Sequence, residues 1–188
     1  MRDAFFFGYG SLVNRATHAY TDAHPATARG WRRVWRHTPV RPVAFLTVHR
    51  APGSHIRGLM AAVPGDDWRT LDAREEAYDR LPAQDQIDHP LPHRPDIALY
   101  VIPEGKHGTP SQKQPILLSY LDVVAQGFMH EYGADGVRDF FDTTDGWNAP
   151  VLDDRAAPRY PRHQSLSRSE RRMVDQALAD RGVRIIPG

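Results

Sequence analysis

Two stretches of this 188-residue chain carry residue types and spacings suited to chemistry. The first is Gly8-Tyr9-Gly10-Ser11-Leu12. Glycines on either side of a tyrosine let the backbone turn sharply or approach a ligand closely. Placed directly after a strand, such a loop can present several backbone N–H groups on one side and form a small anion-binding nest. An ordinary strand-ending turn accounts for the same residues equally well. The second stretch is Asp66 to Arg80, which reads as a helix. Pro64-Gly65 punctuates its start, Asp66 and Asp67 suit its N-cap and first turn, and Pro82 stops it. Trp68, Leu71 and Tyr78 form its apolar stripe. Glu75 falls on that stripe, while Glu76 shares the other face with Arg69, Asp72 and Arg80. Desolvation disfavours the charged form of an inward carboxylate and raises its pKa toward neutrality, which suits proton transfer. A half-buried ion pair with an arginine is the structural alternative.

Familiar motifs do not fit the glycine loop. A dinucleotide fingerprint requires a third glycine where Asn14 and Arg15 stand, and a nucleophile elbow requires glycine where Val13 stands. A serine hydrolase built on Ser11 would therefore lack its usual turn. Cysteine is absent, which excludes a disulfide framework, thiol catalysis and cysteine-ligated metal. His89 and His93 flank Pro90-Leu91-Pro92, but the histidines form no zinc-type pattern, and a proline-rich surface loop explains the pair better. Formal net charge is +1, so composition makes no case for nucleic acid or an anionic membrane. The arginines between Arg29 and Arg57, interleaved with Trp31 and Trp35, read as stems packed beside tryptophans with their heads in solvent. No apolar run approaches a membrane span, and Ala4 to Phe7 is too short for a signal-peptide core. A cytoplasmic protein is the expectation.

The elements that must position these residues follow from periodicity and turn signals. Ala4 to Tyr9 reads as a strand buried on both faces. Thr27–Thr38, Val43–His49 and Ser54–Val63 read as strands separated by Pro39, Pro42, Pro52-Gly53 and Pro64-Gly65, and their spacing predicts antiparallel pairing in a sheet or small barrel. Asp96 to Ile102 reads as a returning strand. Lys106 to Pro115 is a polar loop, a candidate lid. Pro115 opens an amphipathic helix with Ile116, Leu117, Tyr120, Leu121, Val124 and Phe128 on one face. Gly133 and Gly136 frame a break before a short helix over Val137–Phe141. Ser167 and Glu170 form a capping box for a last helix ending at Gly182, and Val183–Ile186 adds a short strand. Strands precede residue 115 and helices follow it, an α+β pattern. The expected organisation is a mixed sheet or small β-barrel over residues 1–114, with a mostly helical extension over 115–188 packed on it as one structural unit.

Phe7-Gly8-Tyr9-Gly10-Ser11-Leu12, Arg29-Gly30-Trp31-Arg32-Arg33-Val34-Trp35, Ile56-Arg57-Gly58-Leu59 and Leu71-Asp72-Ala73-Arg74-Glu75 occur in that order. Together they resemble the γ-glutamylcyclotransferase-like superfamily, and the second segment resembles its ChaC branch in particular. The resemblance covers roughly residues 4 to 102. It departs from that branch at Glu76-Ala77, where a glycine pair is usual, and at Val13-Asn14, where an aromatic is usual. It implies a small, partly closed barrel with helices and the release of 5-oxoproline from a small γ-glutamyl compound, without cofactor or metal. By position it implies Glu75 as the acid–base residue and Tyr9, Gly10, Ser11 and Leu12 as the substrate-binding loop. A non-catalytic small-molecule-binding or interaction protein on the same scaffold remains the alternative.

Overall fold

A computed structural model of the chain describes residues 3–38, 41–103 and 114–188. Of the candidate lid Lys106–Pro115, residues 106–113 lie outside the described residues. The architecture is α+β: a mixed, curled sheet with helices packed against it. The N-terminal strand β1 (Ala4–Gly8) is buried throughout, Phe5 and Phe7 toward the main core and Phe6 toward a second cluster with Leu12, Leu71 and Tyr100. Its unbroken apolar run is what a strand covered on both faces requires. Two long strands, β2 (His24–Thr38) and β3 (Arg41–Ala62), pair antiparallel along their length, and β3 also pairs antiparallel with β1.

The stretches Val43–His49 and Ser54–Val63 are therefore parts of one strand, not two. Pro52-Gly53 does not end it. The chain absorbs the interruption in a bulge opposite Gly30, where the register shifts between Arg29 and Trp31 and both glycines take left-handed φ angles of +78° and +82°. A prediction arises where β3 passes β1. A Cβ on Gly58 would lie 2.3 Å from the Gly8 carbonyl oxygen and 2.5 Å from the Phe7 ring. Backbone cannot yield there as a flexible side chain would. Gly58→Ala should cost about 1–3 kcal/mol by overpacking, read as a lower urea midpoint; an unchanged midpoint would refute it.

The largest correction concerns the stretch 66–80. Only α1 (Arg69–Arg74) is α-helical. A 3-10 turn at Pro64–Asp66 precedes it, with Gly65 and Asp66 at positive φ, and Glu75 is its C-cap at φ −103°, ψ +34°. Residues Asp79–Pro82 form β4, which pairs antiparallel with β6 (Asp96–Val101). Ladder bonding to β6 draws the chain out of the helix that its local periodicity favours. Between them lies the two-residue β5 (Ile87–Asp88), paired with β2. Not all pairing is antiparallel: β6 runs parallel to β1, giving the sheet order β4-β6-β1-β3-β2-β5.

Pro115 does not open the next helix. Ile116–Leu117 form β7, and α2 (Leu118–Asp142) starts after them. The break read at Gly133 is present as a kink, with φ +68° and ψ −164° inside α2. The next elements are β8 (Thr144–Asp145), parallel to β2, and β9 (Val151–Asp153). The helix α3 (Arg168–Asp180) carries the Ser167–Glu170 capping box, and β10 (Ile185–Pro187) closes a small parallel sheet in the order β10-β9-β7. Among the described residues, no helix is long and apolar enough to cross a membrane.

Candidate active site

The loop after β1 folds back as a 3-10 turn at Ser11–Val13, followed by another at Arg15–Thr17. Gly8 makes the return possible, since a Cβ there would lie 2.5 Å from that of Leu12. Asn14 pins the loop to α2. Its amide donates to the Val123 carbonyl at 2.9 Å and to Gln126 Oε1 at 3.0 Å, while its Oδ1 accepts from Ala16 N–H. The helix comes this close only because it carries Gly127, whose Cβ would meet the Asn14 nitrogen at 2.6 Å.

Beneath the loop lies Arg33, one of the arginines expected to reach solvent. It is fully buried instead. Its Nε donates to the Tyr9 carbonyl at 2.8 Å, Nη1 donates to Thr143 Oγ1 at 2.6 Å, and Nη2 donates to the Arg57 carbonyl. The guanidinium lies over the Phe128 and Phe140 rings, 4.8 and 5.2 Å from their centroids. Burial pulls its pKa down to about 9, opposed by the nearby Asp139 carboxylate. At neutral pH it stays a cation and fixes the loop from below.

Tyr9, Gly10, Ser11, Leu12 and Glu75 line one cavity of about 30 Å³, together with Leu46, Tyr78, Tyr100 and Tyr120. The Tyr9 and Leu12 side chains belong to the two hydrophobic clusters, and the Tyr9 hydroxyl donates to the Tyr100 carbonyl at 2.6 Å. Among the described residues, the N–H groups of Gly10 and Leu12 have no backbone carbonyl partner, and Ser11 shares the cavity wall with Tyr120. Ser11 Oγ accepts from Arg74 Nη2 at 3.3 Å, so its partner is a guanidinium and not a histidine base.

Glu75 enters the cavity from the turn that ends α1. Its N–H donates to the Leu71 carbonyl, and Tyr78 N–H donates to the Glu75 carbonyl. This turn aims the two neighbouring acids oppositely: the Glu75 side chain is 15% exposed and that of Glu76 is 62% exposed. Glu75 Oε1 lies 3.2 Å from Arg74 Nε. Arg74 is itself held by the Thr17 carbonyl and hydroxyl. Burial raises the Glu75 pKa above the ordinary carboxylate value, while Arg74 and, farther out, Arg162 oppose the rise. Burial also raises the pKa values of Tyr9, Tyr78 and Tyr120, so the phenols around the acid remain neutral donors at physiological pH. The Tyr78 hydroxyl donates to the Leu46 carbonyl at 2.8 Å. Among the described residues, no three His, Cys, Asp or Glu side chains gather as a metal site would require.

Tyr120, Tyr160 and Arg162 are the site residues that sequence reading did not single out. The apolar stripe of α2 placed Tyr120 inward but said nothing of its hydroxyl. Tyr160 and Arg162 lie on an irregular crossing that carries no periodicity.

The sequence profile described as "ChaC-like protein" matches residues 4–112. A search of curated proteins found no match. Among solved structures, one titled a gamma-glutamyl cyclotransferase superposes with a TM-score of 0.54 at 12% identity, over 93% of this chain and 99% of its own. An uncharacterized protein from Homo sapiens gives 0.57 at 11% identity, over 93% and 99%. YkqA from Bacillus subtilis gives 0.58 at 15% identity, over 73% of this chain and about half (52%) of its own. At these identities the structural likeness establishes the shared fold.

Proposed function

From the premise that this chain belongs to the ChaC-like family, we propose that it is a γ-glutamylcyclotransferase. It cyclises a γ-glutamyl compound to 5-oxoproline and releases an amine, amino acid or peptide. The observation that carries this reading is the placement of Glu75, a largely buried carboxyl with a raised pKa facing the Gly10–Leu12 loop across one small cavity. The α-amine and the γ-carbonyl belong to the same substrate, so the protein has only to bend that chain into a ring-closing geometry. In the reaction, the bond from the α-nitrogen to the γ-carbon forms and the amide C–N bond breaks. Glu75 takes the proton that the attacking amine loses and returns it to the leaving nitrogen. One carboxyl serves both steps because its pKa lies nearer the working pH than that of an exposed acid. Free N–H groups of the loop hold the substrate carboxylate or the oxyanion that develops at the γ-carbonyl. The chemistry calls on no cofactor, since nucleophile and electrophile arrive together.

The test is 5-oxoproline release from a panel of γ-glutamyl compounds, followed by chromatography. Turnover of at least one member is expected. Binding of the panel without turnover would make the chain a binding protein on this fold and remove the catalytic reading.

A further inference from the structure

The cavity at Glu75 does not end at Glu75. It opens past Tyr78 and Tyr120 into a mouth of about 110 Å³, which adds Arg41, Phe45, Arg74, Glu76, Tyr160 and Arg162. From the mouth, a second lobe of about 210 Å³ extends between β3 and the crossing that follows β9. Pro42, Val43, Ala44, Leu46 and Leu117 line this lobe, with Tyr78, Tyr120 and Tyr160 between it and the acid. The space thus widens and becomes apolar with distance from the reacting centre. A cavity of about 150 Å³ already accepts benzene, so the lobe has room for an aromatic or branched aliphatic group. A small polar leaving group would leave it unfilled.

The crossing that forms the outer wall is held in place. Asp154, 3% exposed, accepts from Ser119 N–H at 2.8 Å, from Ser119 Oγ at 2.6 Å and from Arg159 N–H at 2.9 Å. Tyr160 N–H donates to Ser119 Oγ, and Arg155 binds Asp122 through two bonds of 2.7 Å. This anchoring fixes the Tyr160 ring edge-on to Tyr120, with centroids 5.0 Å apart. It also sets Arg162 at the mouth beside Glu75. Arg41 is engaged with Glu76 at 3.8 Å, whereas Arg162 carries no carboxylate partner among the described residues. The whole crossing lies outside the family-matched residues 4–112, so family membership leaves this part of the site open.

Building on the cyclotransferase reading, we propose that the group released here is an amino acid with a bulky apolar side chain. The side chain occupies the lobe beneath Val43 and Leu117, and the α-carboxylate meets Arg162. The placement follows from connectivity. The leaving nitrogen must lie at Glu75 to receive its proton, and the α-carboxylate is attached one carbon away, within the mouth that Arg162 lines. The side chain branches from that same carbon, and the apolar lobe is the larger space open to it.

The experiment compares kcat/KM for 5-oxoproline release from γ-glutamyl-phenylalanine, γ-glutamyl-leucine, γ-glutamyl-glycine, γ-glutamyl-phenethylamine and glutathione. The first two should exceed γ-glutamyl-glycine and glutathione by about 10-fold or more, the scale on which a hydrophobic pocket discriminates. Phenylalanine should also exceed phenethylamine, which lacks the carboxylate. Val43→Asp, at the half-buried rim of the lobe, should bring the phenylalanine-to-glycine ratio toward one. Arg162→Gln should narrow the phenylalanine-to-phenethylamine ratio; a ratio cancels any effect of the lost charge on Glu75 itself. Turnover of glycine or glutathione at the rate of phenylalanine, or ratios unmoved by both variants, would overturn the inference and leave the activity standing. Release from no member of the panel would remove the activity and the inference together.

Discussion

Glu75→Gln lowers the rate of 5-oxoproline formation by about 10²-fold or more, the usual scale for loss of a general acid–base group, with a much smaller change in KM. Glutamine keeps the shape and one acceptor for Arg74 Nε, now 3.2 Å from Glu75 Oε1, but it cannot carry a proton between two nitrogens. Glu76→Gln is the internal control. That carboxylate is 62% exposed and only loosely paired with Arg41, so its loss should be nearly silent. Equal losses in the two variants, on protein shown to be folded, would mean that the wrong acid has been assigned. The pH dependence adds a second check. Because burial raises the folded-state pKa of Glu75, activity through its basic form should rise with pH across a range above that of an ordinary carboxylate. Stability runs the other way. The folded protein holds this proton more tightly than the unfolded chain does, so this group's contribution to stability declines as pH rises from the unfolded value through the folded one. The Glu75→Gln variant lacks that slope, and the difference in melting temperature between it and the wild type should shift in its favour as pH rises through the same window.

Arg33→Met destabilises the fold by about 3 kcal/mol or more. Two opposing effects decide the figure. Removing a buried cation recovers its desolvation cost, and in some proteins apolar replacement of buried charges is stabilising. Here, though, the hydrogen-bond partners are neutral acceptors that stay behind, the Tyr9 and Arg57 carbonyls and the Thr143 hydroxyl, and the nearby Asp139 carboxylate loses its counter-charge. An orphaned buried polar group costs about 1–3 kcal/mol, and methionine offers no donor. The Phe128 and Phe140 rings also lose the cation stacked on them. Urea unfolding of the variant measures the effect directly, and a midpoint equal to wild type would refute it. The variant should also raise KM, because Tyr9 begins the loop that faces Glu75. Arg33→Lys should recover little of the stability, since one ammonium on a single stem cannot span three acceptors set around a planar fork.

Much of the architecture was legible in the chain. The unbroken Phe5-Phe6-Phe7 run specified a strand covered on both faces, and Ser167 with Glu170 specified the start of α3 down to its reciprocal bonds. Those signals are local: a cap or a continuous apolar run needs no distant partner to be read. The 66–80 stretch shows where locality fails. Its apolar spacing is helical, yet Asp79–Pro82 pairs with Asp96–Val101, and a ladder to a strand some twenty residues away is invisible to a helical period. The inward aim of Glu75 was read from a helix face, but a C-cap turn produces it. The direction is the same because Leu71, buried, and Tyr78, partly buried, pack into the protein on either side of that turn.

By itself, then, the sequence determined the buried first strand and the capped last helix, the glycine loop, and the presence of one acid among apolar neighbours beside one among charges. Only the tertiary structure decided what surrounds that acid. Tyr78, Tyr120, Tyr160 and Arg162 come from a turn, a helix and an irregular crossing, and meet at one mouth. Tyrosine and arginine each join a large apolar body to a polar head, so their types alone do not say which pocket or partner the head reaches. Arg33 makes the same point most sharply. It stands in a row of arginines with nothing local to distinguish it, and it is buried because three acceptors and two aromatic rings, supplied by distant segments, converge on its position.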